Sequence, residues 1–365
     1  MKSLSNFLKF GDLQIIFILI LILIPINFLL FLSRGEGAEF YGSTQYVQFV
    51  RLFPESLGDV RLEPAYIAVT HFIWKITGLS LPVIFAVSRY LVWAAQLVFI
   101  YLLFKLLTNQ KLLSIAGTLV FNFSFAQFAI ANNLFRNHTA NLLVFIILFL
   151  VIKFFKTPNA EVKKYLAGVG ILLGLTTYTH IFTSAVIFST FLLFLFFLIF
   201  LNFFKKKFLV RDFPKAIFQL IGGSILVGLV ASVPFILRTL PFYWILVTSF
   251  LTGRGPWEIR TPPSPDLTFN FFANFANFFN QPLTGLITLF RFFFEFKQIS
   301  IPTIMIFLVF VTVVFIILKA RTASSFFILS FWLITYLGTK LEFFGVGVVP
   351  TRFSTVSFYL FKCGY

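Results

Sequence analysis

The chain has 365 residues, of which 59% are hydrophobic and only 11% are charged. Soluble domains carry about 25% charged residues, so the composition excludes an ordinary soluble domain and predicts an all-α, polytopic transmembrane bundle of about nine or ten spans. The net charge of +17 does not indicate nucleic-acid binding, because the basic residues lie in short gaps between apolar runs, as in cytoplasmic loops. The single cysteine, Cys363, excludes a disulfide framework and a thiolate metal site.

The first apolar run covers residues 14–33 and follows Lys2 and Lys9. The apolar core of a cleavable signal has about 7–15 residues and precedes a small-residue cleavage site. This run is longer and ends at Leu32, Ser33 and Arg34. We therefore expect a retained first span whose amino end is cytoplasmic.

Eight further apolar runs are long enough to be predicted as spans, and an incomplete tenth begins near Phe353. The eight runs cover residues 83–106, 112–131, 139–156, 164–181, 183–204, 216–237, 300–319 and 324–339. With the amino end inside, each short lysine-rich gap falls on the cytoplasmic side. We expect one multi-pass membrane domain over residues 1–365, without a soluble carboxy-terminal domain, as a fragment of a longer protein or an unusually short one.

Two long segments are expected on the non-cytoplasmic side, residues 34–82 and 238–299. The first contains residues 65–77, which are semi-apolar, too short to span, and suited to a helix at the membrane interface. The second contains the aromatic-rich piece 269–279, for which we expect an interfacial helix or a re-entrant lid. It also contains Pro241, where the preceding helix is expected to have ended.

An acidic cluster follows the first span. Five of the twelve carboxylates lie in 28 residues: Glu36, Glu39, Glu55, Asp59 and Glu63. Glu36 and Glu39 would share one face of a helix, and a partly desolvated carboxylate near the lipid surface can act as the general base on an acceptor hydroxyl. The plainer interpretation is a pair of solvated loop acids beside Arg34 and Arg51.

Asp59 and Glu63 form a second acidic pair around Arg61. Their carboxylate oxygens are suited to a divalent cation, and the alternative is a salt-bridged turn. A divalent metal is therefore a weak prediction of the sequence.

Three more residues lie where predicted spans meet the outer surface: Arg136, His180 and Arg352. A guanidinium group there can hold two phosphate oxygens at once, and an ionisable residue at membrane depth is a functional hypothesis by default. The plainer roles are interfacial anchors for the arginines and a hydrogen-bonded packing residue for His180.

Seven short motifs follow one another along most of the chain. They are Ala38-Glu39-Phe40-Tyr41, Glu63-Pro64-Ala65-Tyr66, Lys75-Ile76-Thr77-Gly78-Leu79, Arg89-Tyr90, Arg136-Asn137, Thr179-His180 and Arg352-Phe353. In layout they resemble the GT-C superfamily of integral-membrane glycosyltransferases, including its mannosyltransferase-like members, which use polyprenyl-phosphate-linked sugars. The chain has Glu39 where that family commonly has Asp.

The resemblance implies an inverting single displacement on the non-cytoplasmic face, from a polyprenyl-phosphate sugar to a hydroxyl of a lipid, glycan or protein acceptor. It implies that Glu39 is the base, with Glu36 as its competitor, and that Arg352 holds the donor phosphate. The substrate-binding candidates together are Arg352, Arg136, His180 and Arg89. No cofactor is required.

Two other functions compete with this one. A secondary transporter would need charged or broken helices near the bilayer midplane, and the predicted spans hold almost no ionisable residue in their interiors. A polymerase or ligase of lipid-linked glycans would share the substrates and the basic outer loops. The acid-rich first loop favours the transferase over this third function.

Overall fold

The structure, a computed structural model, is all-helical over the residues that it describes. These are residues 11–33, 43–58, 64–123, 135–157, 161–203, 215–252 and 322–339. The α-helices are α1 Asp12–Ser33, α2 Ser43–Arg51, α3 Pro64–Thr77, α4 Leu81–Thr108, α5 Lys111–Asn122, α6 Phe135–Lys156, α7 Val162–Thr179, α8 Ile181–Phe203, α9 Lys215–Thr252 and α10 Ala323–Thr339. A short 3-10 helix, Glu55–Gly58, follows α2. The predicted all-α class is confirmed for these residues.

Five of the described helices are long and apolar enough to cross a membrane, namely α1, α4, α6, α8 and α9. Helices α5 and α10 are apolar but shorter. The length and composition of these helices thus confirm the prediction of a membrane protein. The predicted spans at 300–319 and after Phe353 lie outside the described residues. The predicted interfacial stretch 65–77 corresponds to α3.

Helix α5 begins the third predicted span, 112–131, and ends at Asn122, with Phe123 in a turn. The rest of that predicted span lies outside the described residues. Asn122 and Asn27 of α1 are fully buried and exchange two amide hydrogen bonds, at 2.8 and 3.0 Å. Each of these side-chain amides therefore has a hydrogen-bonding partner inside the bundle. The apolar sequence around the two residues does not predict this pairing.

The seventh predicted span, 216–237, is longer than expected. Helix α9 continues through Pro234 and Pro241 to Thr252, so the prediction that Pro241 lies beyond the helix is wrong. Proline removes one backbone hydrogen bond, and neighbouring side chains can compensate for this in a helix bundle. The carbonyl oxygen that loses its helical donor at Pro234 is that of Val230. Tyr178 of α7 donates to the next carbonyl oxygen, that of Ala231, at 3.1 Å. At 38 residues, α9 is about 57 Å long.

Contacts near the two ends of each helix show the relative directions of α1, α4 and α6. Helix α1 runs antiparallel to α4, because the Tyr101 hydroxyl donates to the Asp12 carboxylate at 2.8 Å, while the Phe28 and Tyr90 rings meet 6.0 Å apart. Helix α6 runs parallel to α4, since the Phe85 and Phe135 rings stack near the two starting points. Near their other ends, Lys156 donates to the carbonyl oxygen of Leu106.

The described lysines outside α3 collect at one end of the bundle, which we call the basic end. Phe154 of α6 and Tyr165 of α7 pack there, with ring centres 5.4 Å apart. The lysines are Lys105, Lys111, Lys153, Lys156, Lys163, Lys164 and Lys215. Helices α2 and α3 lie at the opposite end, which we call the capped end, against the first turns of α4 and α6.

Helices α7 and α9 form the closest-packed pair. A methyl group added at Gly170 would lie 2.6 Å from the Val227 Cβ, and one at Gly174 would lie 2.5 Å from the Ala231 Cβ. Small residues four apart allow such close approach between membrane helices. Three buried hydroxyls join the pair to α8, because the Thr177 oxygen lies 2.9 Å from that of Ser232 and 2.7 Å from that of Ser184.

We expect Gly170→Ala to lower the free energy of unfolding in detergent by about 1–3 kcal/mol, because the new methyl overpacks the α7–α9 contact. The matched control is Gly168→Ala, on the same helix, where an added methyl meets nothing within 4 Å. That control should be neutral or stabilising by up to about 1 kcal/mol, since alanine is the better helix former. Thermal or denaturant unfolding measures both, and equal midpoints for the two variants would contradict the packing described.

Candidate functional site

The capped end is held together by apolar packing and by a link between α2 and α3. Val50, Ile67 and Leu81 are buried there. The His71 Nδ1 of α3 lies 2.7 Å from the carbonyl oxygen of Val50, close to the end of α2, and donates to it. The two short helices therefore form one unit over the starts of α4 and α6.

Four aromatic side chains from α2, α3, α4 and α6 meet under this unit, and we call them the ring cluster: Tyr46, Tyr66, Phe85 and Phe135. The Tyr66 ring stacks on the Phe135 ring at 5.9 Å, and the Phe135 ring stacks on that of Phe85 at 5.4 Å. Tyr46 meets Tyr66 and Phe135 edge-on, at 6.1 and 6.0 Å. Burial raises the pKa of the Tyr66 phenol well above its usual range, because the charged phenolate would lose its hydration.

Arg136 joins the ring cluster from the second position of α6. Its Nε donates to the Tyr46 hydroxyl at 2.6 Å, and its guanidinium carbon lies 5.4 Å from the centre of the Tyr46 ring. The side chain is half-buried. A residue predicted as a surface cation is therefore held by a tyrosine that lies 90 positions earlier in the chain.

Arg89 approaches the same cluster from α4. Its guanidinium carbon lies 5.5 Å from the centre of the Phe135 ring and 5.9 Å from that of Tyr90. The residue is only 3% exposed, within a helix long and apolar enough to span. A buried cation in such a helix is costly and marks a functional position by default. Arg89 and Arg136, which the sequence singled out separately, thus both lie against the ring cluster.

Polar side chains also fill the α4–α6 contact next to Arg89. The His138 Nε2 lies 3.2 Å from the carbonyl oxygen of Arg89, and the Gln96 amide donates to the carbonyl oxygen of His138 at 2.7 Å. The same Gln96 amide nitrogen lies 3.4 Å from the His138 Nδ1. This pattern assigns the proton of a neutral His138 to Nε2, because Nδ1 faces a donor. His138 and Gln96 therefore fasten α4 to α6 directly below the ring cluster.

His180 lies in the turn between α7 and α8. Its Nδ1 is 2.8 Å from the Thr183 hydroxyl and 3.3 Å from the Thr183 backbone nitrogen. It is buried, and its backbone nitrogen donates to the carbonyl oxygen of Thr176. These contacts cap the turn, and they fit the packing role that was the alternative prediction for His180.

The remaining predicted site residues lie outside the described residues. They are the acids Glu36, Glu39, Asp59 and Glu63 and the cation Arg352. Their predicted roles therefore stay predictions. Within the described ranges, no group of three or more His, Cys, Asp or Glu side chains is arranged to hold a metal ion.

Sequence reasoning missed three residues here: Tyr46, which bonds the Arg136 side chain; His138, which bonds the Arg89 backbone; and Gln96, which bonds His138. One signal was present, because Arg89, Trp93 and Gln96 recur at the spacing of a single helix face inside an apolar run. Trp93 does lie on that face, with its ring 6.1 Å from the His138 ring. Nothing in the local sequence marks Tyr46, because its partner lies far along the chain.

This end of the bundle offers two guanidinium groups beside aromatic faces, which is a chemistry suited to binding an anion such as a phosphate. Helix α2 begins four residues after Glu39 in the chain, so the acidic segment that holds Glu36 and Glu39 leads directly into the unit that carries Tyr46. In the comparisons with known proteins, no family model matches this chain, and no curated protein matches it either.

Proposed function

We propose that this chain is a membrane glycosyltransferase that moves a sugar from a polyprenyl-phosphate donor to an acceptor hydroxyl. The observation that carries the proposal is the meeting of Arg89 and Arg136 on one ring cluster, beneath helices that follow the acidic segment. The order of the seven sequence motifs quoted above resembles that of the GT-C superfamily, and this resemblance supports the same function.

The proposed reaction is a single displacement. The acceptor oxygen bonds to the anomeric carbon as the bond from that carbon to the donor phosphate oxygen breaks. Glu39 takes the acceptor proton, with Glu36 as the competing base, and the lipid phosphate leaves with the bonding electron pair. Because phosphate is already a good leaving group, the reaction can use one carboxylate where glycoside hydrolysis uses two. Cations at the leaving phosphate supply the electrostatic stabilisation, and Arg136 and Arg352 are the residues assigned to it.

The capped end is proposed to face the non-cytoplasmic side, because the positive-inside rule assigns the basic end to the cytoplasm. Helix α3 supports a position at the membrane surface. Its outer face carries four exposed apolar side chains at helical spacing: Val69, Phe72, Ile73 and Ile76. Beside them, the Lys75 amine lies 4.6 Å from the centre of the Trp74 ring. An apolar face with such a border is typical of an interfacial helix.

The proposal is tested by reconstituting the full chain in lipid vesicles with a panel of polyprenyl-phosphate sugars and mixed acceptors. The expected result is a glycosylated acceptor together with one free polyprenyl phosphate for each sugar moved. Vesicles with the protein that release no polyprenyl phosphate from any donor in the panel would count against the function.

A secondary transporter is a second candidate, because Arg89, His138 and Gln96 form a buried polar group between two spanning helices. Transporters use such groups to bind substrate within the membrane. The same vesicles separate the two functions. Accumulation of a labelled solute without chemical change favours transport, and cleavage of the donor favours transfer.

A further inference from the structure

Tyr46 makes the hydrogen bond that orients Arg136. Its hydroxyl accepts from the Arg136 Nε at 2.6 Å. A guanidinium group carries five donors in one plane, so a short bond at Nε restrains the rotation of the plane and thereby the direction of the two terminal nitrogens. Those nitrogens are the ones that hold two phosphate oxygens in the fork arrangement.

The Tyr46 hydroxyl is itself held by the ring cluster. The Tyr46 ring meets the Tyr66 ring of α3 at an angle of 84° and the Phe135 ring of α6 at 86°. Such edge-to-face contacts restrain an aromatic side chain that has only two rotatable bonds. The backbone of α2 and the rings of α3 and α6 thus decide together where the hydroxyl lies.

Tyrosine is also the right chemical class for this task. A carboxylate in the same place would orient Arg136 but cancel its charge, whereas a neutral phenol accepts the hydrogen bond and adds no charge. A hydroxyl partner is therefore suited to an arginine that binds phosphate.

We infer that Tyr46 is a positioning residue, which orients Arg136 for the phosphate of a lipid-linked substrate and ties that binding to the placement of α2. This inference rests on the proposed function for the role of Arg136. It adds a residue that none of the sequence motifs includes, and it makes phosphate binding depend on the helix that directly follows the acidic segment.

The test compares Tyr46→Phe with Tyr101→Phe, using dodecyl phosphate and inorganic phosphate as probes. Tyr46→Phe keeps the ring and removes only the hydroxyl. Tyr101→Phe removes a matched hydrogen bond, to Asp12, at the basic end. We expect Tyr46→Phe to weaken dodecyl phosphate binding about five- to tenfold, the effect of losing one ordinary hydrogen bond. Donor KM should rise by a similar factor with kcat less affected, while Tyr101→Phe should bind as wild type.

A double-variant cycle separates positioning from packing. If Tyr46 acts through Arg136, then Tyr46→Phe has no further effect on dodecyl phosphate binding in the Arg136→Gln background. Additive losses would overturn the inference, as would wild-type affinity of Tyr46→Phe or a wild-type protein that binds neither probe. If inorganic phosphate alone binds and shows the same cycle, Tyr46 keeps its role and the ligand is free phosphate.

The same experiment separates the inference from the proposed function. Wild-type protein that binds dodecyl phosphate through Tyr46 but transfers no sugar leaves the inference in place and removes the transferase. Sugar transfer with a donor KM unchanged by Tyr46→Phe removes the inference about Tyr46 and leaves the proposed transferase in place.

Discussion

Replacement of Glu39 by glutamine is expected to lower the rate of sugar transfer about 10²–10⁴-fold, the usual loss when a general base is removed. Glutamine keeps the size and polarity of the side chain but cannot take the acceptor proton. The measurement is kcat with a saturating polyprenyl-phosphate sugar in vesicles. Donor binding should change little, because the base acts on the acceptor.

Glu36→Gln and Glu55→Gln complete this experiment. Glu36 is the competing base, so a large loss in Glu36→Gln with near-normal Glu39→Gln would exchange their roles. Glu55 belongs to the same acidic cluster but is exposed in the 3-10 helix, so its neutral variant should stay within about twofold of wild type, as for most surface changes. Transfer that survives both Glu39→Gln and Glu36→Gln would remove the carboxylate base from the mechanism.

The second large effect is expected at Arg136. Arg136→Gln should lower kcat/KM for the donor about 10²–10³-fold, because a cation that stabilises the leaving phosphate is lost. Arg136→Lys should recover part of the activity, since it restores the charge but not the planar fork or the bond to Tyr46. Initial rates at several donor concentrations measure both variants.

Arg51→Gln is the matched control for Arg136. Arg51 ends α2, in the same capping unit, but its side chain is exposed. Loss of its charge should change kcat/KM by no more than about twofold. Equal losses in Arg51→Gln and Arg136→Gln would indicate a general effect of positive charge at this surface, and would contradict a specific phosphate contact at Arg136.

Most helix positions could be predicted from the sequence, because a membrane helix is defined by a long apolar run. The span predicted at 83–106 corresponds to the helix Leu81–Thr108, and the interfacial helix predicted at 65–77 corresponds to Pro64–Thr77. The wrong prediction concerns a proline, whose effect on a helix depends on the helices packed around it. The sequence predicts that Pro241 lies beyond its helix, whereas the structure continues the helix past it.

The candidate site could be predicted only in part. The place of Arg136 at the outer end of a predicted span indicates a phosphate-binding candidate, whereas Arg89 is a candidate only through the resemblance in layout. The local sequence does not indicate Tyr46 or Gln96, because each makes its contact with a residue of another helix. The hydrogen bond between Arg136 and Tyr46 joins residues 90 positions apart.

By itself, the sequence determined that this is an apolar, helical membrane protein, with cations at the helix ends and its acids concentrated after the first span. These are properties of composition and local periodicity, which act over a few turns of chain. The tertiary structure decided that α2 and α3 cover the starts of α4 and α6, and that Arg89 and Arg136 meet one ring cluster. Only packing between distant helices can create such a meeting, because burial and hydrogen bonding depend on which surfaces face each other.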